Sequence, residues 1–206
     1  CLENAHGSGV VLPLDYLKSV RELADKHQLK VHMDGARLFN AATFLNVDVK
    51  DITQYVDSVT FCLSKGLASP VGSLLCGSHA FIRKARRGRK LLGGGMRQVG
   101  ILGACGLISL REMTKRLKED HKNAQYLASK LSQIDGFEVD YDHLDINMVF
   151  TKSTIDFTEL AKYLKQHNIL IGGYKGQYLR LALHNDISKE DIDAFINHIL
   201  LYKELT

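Results

Sequence analysis

The feature that most constrains the fold is a repeated change of hydrophobic period between residues 14 and 91. Leu14, Leu17, Val20, Leu23 and Ala24 recur at helical spacing behind Pro13, which predicts a helix over 14–27. A short β-favouring run, Leu29-Lys30-Val31-His32-Met33, follows at once and stops at Asp34-Gly35. The pattern then repeats. Residues 36–45 and 50–55 read as helices, 58–63 as a second strand that stops at Ser64-Lys65-Gly66, 72–77 as a third strand and 79–91 as a further helix. Strands alternating with helices imply crossover connections, and so a mainly parallel sheet covered on both faces. Ligands of such sheets bind beyond the carboxyl ends of the strands. Asp34 and Lys65 both fall at that edge, one after each of two successive strands, where they are placed to face one site.

From Gly100 a helical pattern runs to about Gln133, and the character of the chain then changes. Residues 137–139, 148–150 and 178–182 read as strands, interrupted by a helix over 157–166 and closed by an amphipathic helix over 189–202 with Ser188 as its cap. This is an α+β unit of the small-domain kind. The expected division is 1–117 for a large α/β domain and 118–206 for a small C-terminal domain.

With 45% hydrophobic and 24% charged residues the chain has the composition of an ordinary soluble globular protein. Its longest apolar runs are too short to span a bilayer and no signal segment opens it, so a cytoplasmic location without a membrane partner is expected. Cys1, Cys62, Cys76 and Cys105 lack the close pairing of a zinc site and read as buried reduced thiols; no metal is expected. Much of the net charge of +4 lies in one run, Arg83-Lys84-Ala85-Arg86-Arg87-Gly88-Arg89-Lys90. Without interleaved aromatics it reads as a solvated or phosphate-facing helix surface, not a nucleic-acid site.

A lysine after a strand is a weak signal alone, because most lysines are surface charges. The pairing with Asp34 changes its weight. A pyridoxal-phosphate (PLP) lysine needs a carboxylate that keeps the pyridine nitrogen protonated, so that the ring can accept an electron pair released at the substrate. One strand–helix–strand unit separates Asp34 from Lys65 and supplies such a pair. The surrounding residues are more specific. His32-Met33-Asp34-Gly35-Ala36-Arg37, Phe61-Cys62-Leu63-Ser64-Lys65-Gly66, Pro70-Val71-Gly72-Ser73 and Gly93-Gly94-Gly95-Met96-Arg97-Gln98 stand in one order and spacing. With Leu2-Glu3-Asn4-Ala5-His6 and Tyr178-Leu179-Arg180-Leu181, they make the whole chain resemble the low-specificity threonine aldolases of the β-eliminating lyase/threonine aldolase group.

The resemblance implies a partial fold-type I PLP large domain followed by the small domain, and aldol cleavage of L-threonine or L-allo-threonine to glycine and acetaldehyde. It implies Lys65 as the catalytic lysine that holds PLP and Asp34 as the partner of the pyridine nitrogen. Arg37 and Arg180 are expected to fork onto the substrate carboxylate. Arg97 is expected near the cofactor phosphate or a subunit contact, and His6 near the substrate hydroxyl, directly or through water. The partners implied are a small amino acid and further copies of the chain, a dimer or tetramer. Singly, each residue has a plainer reading: Asp34-Gly35 a turn, 93–95 a helix connection, His6 structural, Arg180 an exposed edge position. His32, His121 and His184 are read as structural. Ala5 stands where the family usually has Thr, Gly88 where it often has Trp, and Ala68-Ser69-Pro70 replaces a more usual glycine-containing version. Roughly the first third of the family sequence, with a glycine-rich phosphate cradle and a histidine stacked on the cofactor, has no counterpart. Cys1-Leu2-Glu3-Asn4 also reads as the end of a strand. The chain is therefore expected to be a fragment or processed product, inactive alone. The alternatives are a non-catalytic remnant or another fold-type I PLP lyase.

Overall fold

The structure, a computed structural model, describes residues 1–205. The chain forms two compact units, residues 1–7 with 11–118 and residues 8–10 with 119 onward.

The first unit is built on a four-stranded sheet in the order β1 (Leu2–Glu3), β2 (His32–Asp34), β3 (Ser58–Cys62), β4 (Ser73–Gly77). β1, β2 and β3 run parallel, with Met33 beside both Leu2 and Val59. The connections between them carry α1 (Leu14–Lys26), α2 (Leu38–Leu45) and α3 (Val49–Thr53). β4 is antiparallel to β3, from Cys62 beside Ser73 to Ser58 beside Gly77. No helix lies between these two strands, so the chain returns directly and reverses direction. The core of this unit includes Leu17, Met33, Ala41, Ile52, Val59 and Phe61. Asp57, just before β3, fastens α1 and the segment that leads into β2. Its carboxylate accepts from Lys30 Nζ at 2.7 Å, the Val31 N–H at 2.9 Å and Arg21 Nη1 at 2.8 Å. These donors, Lys30 foremost, hold the Asp57 carboxyl well below the usual carboxylate range.

Beyond β4 come α4 (His79–Leu91) and α5 (Gly100–Ile108). α4 has no buried residue, and its cationic run is exposed or half-buried throughout. The predicted uninterrupted helix from residue 100 is broken by a π turn over Ser109–Met113, after which α6 spans Thr114–Leu131.

In the second unit the antiparallel sheet has the order β5 (Phe137–Val139), β6 (Met148–Ser153), β8 (Tyr178–Ala182), β7 (Tyr174–Lys175). Its core gathers Leu127 and Leu131 of α6, Leu160 and Leu164 of α7 (Phe157–Gln166), Leu179 of β8, and Ile192 and Ile199 of α8 (Lys189–Leu205). The start of α8 is closed reciprocally. Ser188 Oγ accepts the Asp191 N–H at 3.1 Å while Asp191 Oδ2 accepts the Ser188 N–H at 2.8 Å.

One expectation, on the cysteines, and one plainer reading, on Arg180, need correction. None of the four cysteines is buried: Cys1 and Cys76 are exposed, Cys62 and Cys105 intermediate, and all are free thiols. Cys76 lies on β4, an edge strand with no buried residue, so an apolar run there did not mean burial. Arg180 lies on β8, between β6 and β7, so it does not occupy an edge strand. Among the described residues no helix is long and apolar enough to cross a membrane.

Candidate active site

Three consecutive parallel strands end at one edge of the first sheet, and each leads into a singled-out side chain. β1 runs out through Asn4 and Ala5 to His6, β2 ends on Asp34, and β3 leads into Ser64-Lys65-Gly66. The register keeps these ends in step, with Glu3 beside Asp34 and Asp34 beside Thr60.

Gly35 makes the turn after β2 possible. Its N–H donates to the Thr60 carbonyl at 2.8 Å, and a Cβ there would lie 2.9 Å from that oxygen and 3.0 Å from Val59. A residue with a side chain would have to push β2 from β3. The turn also orients the carboxylate: Asp34 Oδ1 accepts the Ala36 N–H at 3.0 Å. Because Ala36 serves this turn and the Leu38 N–H closes on Gly35 O at 2.7 Å, α2 begins at Leu38, two residues later than its hydrophobic pattern predicts. Arg37 stands at the helix start, half-buried.

Lys65 is exposed, but the loop that carries it is tightly folded. Leu63 N–H donates to Gly72 O at 2.9 Å, Ser69 N–H to Leu63 O at 3.0 Å, and Ala68 N–H to Lys65 O at 2.9 Å. Behind the lysine, a Cβ on Gly66 would come within 2.9 Å of Leu117 and 3.5 Å of Asn40 Oδ1. Glycine thus lets the loop lie flat against α2 and α6.

His6 is exposed, with Nε2 3.3 Å from Glu3 Oε2, and Glu3 Oε1 accepts the Gly7 N–H at 2.8 Å. A carboxylate beside an imidazole fixes the orientation of the ring. The structure thus brings His6, Asp34, Arg37 and Lys65 to one strand edge. Arg97 is not carried by a strand end; it is exposed in the connection between α4 and α5. Arg180 belongs to the second unit, on the outward face of β8, beside Phe150 of β6 and along a cavity of about 480 Å³ shared with Tyr174 and Tyr178.

Sequence reasoning overlooked several supporting groups. Asn4 is fully buried; its N–H donates to Asp34 O at 3.0 Å, and its amide meets Leu12 N–H at 3.0 Å and Leu12 O at 3.3 Å. It ties the end of β1, just before His6, to the end of β2. Asn40 is buried beside the Lys65 loop. A polar residue within an apolar helix pattern, as in Leu38-Phe39-Asn40-Ala41-Ala42, was the available signal. Of the histidines read as structural, His32 Nδ1 lies 2.9 Å from Ser58 Oγ, and burial pushes His121 down to about 4.

A family model described as Beta-eliminating lyase matches residues 1–154. The chain belongs to the beta-eliminating lyase family. Similar to this beta-eliminating lyase chain are the low specificity L-threonine aldolase of Escherichia coli K12, 43% identical over 96% of the chain and 58% of the relative, and low-specificity L-threonine aldolase 1 of Arabidopsis thaliana, 42% identical over 93% and 55%. The chain thus spans little more than half the length of these relatives. Among solved structures it matches a threonine aldolase of Leishmania major at a TM-score of 0.74 and 19% identity, over 100% of this chain and 61% of that one. A PLP-dependent aminotransferase of Streptococcus suis matches at 0.72 and 18%, over 98% and 56%. Likenesses at such identities speak for the fold alone. The beta-eliminating lyase chain therefore has the fold-type I architecture, one that carries more than one reaction.

Proposed function

We propose that a full-length protein carrying this chain is a PLP-dependent aldolase that cleaves L-threonine and L-allo-threonine to glycine and acetaldehyde. The observation that carries the reading is the placement of Asp34 and Lys65 at the ends of two paired parallel strands, both exposed at one open edge. The aldolase names of relatives above 40% identity support the substrate class.

The residues present suit the cofactor. A carboxylate pre-oriented by the Ala36 N–H answers a ring nitrogen that must stay protonated, and an exposed amine answers an aldehyde. When bound, PLP supplies an electron sink for the pair released at the substrate α-carbon. The chain supplies the rest. Lys65 would hold the cofactor through its ε-amine. Asp34 would keep the pyridine nitrogen protonated. Arg37 and Arg180 grip the substrate carboxylate and thereby select which bond at the α-carbon is aligned for cleavage. His6, braced by Glu3, takes the β-hydroxyl proton directly or through a water. Arg97 faces the cofactor phosphate or a neighbouring subunit. Assembly into a dimer or tetramer belongs to the same proposal, supported by Leu91, Leu92 and Ile101, which are 87%, 90% and 78% exposed.

The test is borohydride reduction with PLP followed by peptide mapping, alongside assays of threonine, serine and alanine for aldehyde, pyruvate and keto acid. Label on the Lys65 peptide with acetaldehyde and glycine as products is expected. Label on another lysine, or pyruvate or keto acid as the main product, would overturn the assignment.

A further inference from the structure

We propose that the buried hydroxyl pair of Ser69 and Ser109 is a positioning contact for Lys65, an assignment that rests on Lys65 being the cofactor lysine. The two oxygens are 2.8 Å apart, and 40 residues of chain separate them. Both residues are almost closed to solvent, 6% and 3% exposed. A buried hydroxyl holds its partner firmly, because leaving it unpaired is costly.

The loop needs such an external tie. Ala68 has φ +55°, in the left-handed region that residues with a side chain avoid, and such conformations persist where the surroundings over-determine them. The three backbone hydrogen bonds among residues 63–72 close the loop on itself but anchor it to no helix. Leu117 and Asn40 wall it from behind at Gly66. Ser69 follows Ala68 directly, and its partner opens the π turn, a helix distortion frequent at functional sites. The bond therefore fixes the strained side of the loop to the α5–α6 segment and sets the direction from which Lys65 leaves the sheet edge. It acts through the backbone and touches neither substrate nor cofactor.

The experiment compares Ser69→Ala, Ser109→Ala, the double variant and the hydroxyl-preserving Ser69→Thr in the whole chain without cofactor. Hydrogen exchange at the Leu63, Ala68 and Ser69 amides is expected to quicken about three- to tenfold in each alanine variant. The double variant should go no further, and Ser69→Thr should stay near the parent. The pH profile of Lys65 acylation, read by peptide mapping, should shift in the alanine variants and return in Ser69→Thr. Unchanged loop exchange overturns the proposal, and so does a lower melting temperature with an unaltered Lys65 profile. Borohydride label on a different lysine, with the loop effects intact, sinks it through its premise, and that result is distinguishable from a failed contact.

Discussion

Arg180 shows how much one side chain's chemistry depends on shape as well as charge. It projects from the exposed face of β8 while Leu179 beside it is buried. Arg180→Lys keeps the charge and loses the planar fork, so in the proposed full-length aldolase the KM for threonine should rise about tenfold or more while PLP affinity holds. A reduced PLP affinity with an unchanged KM would place Arg180 on the wrong ligand. His121 gives a pH prediction. Burial holds its folded-state value near 4, below the ordinary 6.5, so the unfolded chain takes up a proton first as the medium turns acidic. Stability should fall by up to about 3 kcal/mol between pH 7 and pH 4, and His121→Gln should flatten that part of the curve. Asp57 adds to the loss below pH 4: its folded value is depressed, so its contribution is full above the ordinary carboxylate range and fades as pH drops through it. Thermal melts across pH check both. Asp34 and Lys65 were legible because each ends a strand-like run beside glycine. Asn4 and Ser109 were not, because their partners lie 8 and 40 residues away and no local pattern encodes a distant hydrogen bond.

Helices and strands were legible where hydrophobic period and end signals agreed. The reciprocal bonds of Ser188 and Asp191 match the cap read before α8, and Ser188→Ala should cost about 1 kcal/mol, measurable by denaturant titration. An unchanged midpoint would mean that Asp191 alone suffices. The same pattern misled at α2, where the Asp34 side chain claims Ala36 for a turn. It also passed over the π turn, since Leu107, Ile108 and Leu110 continue an apolar run whatever the local winding. The orientation of β4 was hidden too. A parallel arrangement follows from a helical crossover, and the stretch between β3 and β4 holds a loop instead.

Each of the two units carries its own core, and the consequence is tested by placing a cavity in one. Leu164→Ala removes a fully buried side chain from the second unit and should destabilise that unit by about 2–5 kcal/mol. Hydrogen exchange should quicken across α7, α8 and β6 and hardly at all in β1–β3. Uniform quickening would show one cooperative structure. The first unit has a different exposure problem. Leu91, Leu92 and Ile101 present apolar surface at and beyond the end of a helix with no fully buried residue, the surface offered above to a further copy of the chain. Replacing all three with Ser should lower the apparent mass in light scattering, and a mass independent of them would remove this surface from the assembly.

The π turn amounts to a tolerated insertion. A helix wound through i→i+5 bonds absorbs one residue more than regular winding would. Deleting a single residue from Ser109–Met113 would restore regular winding and leave α5 and α6 nearly in phase, because the turn already absorbs the extra residue locally. What the deletion would change is the local winding at Ser109, and with it the direction of the hydroxyl that meets Ser69.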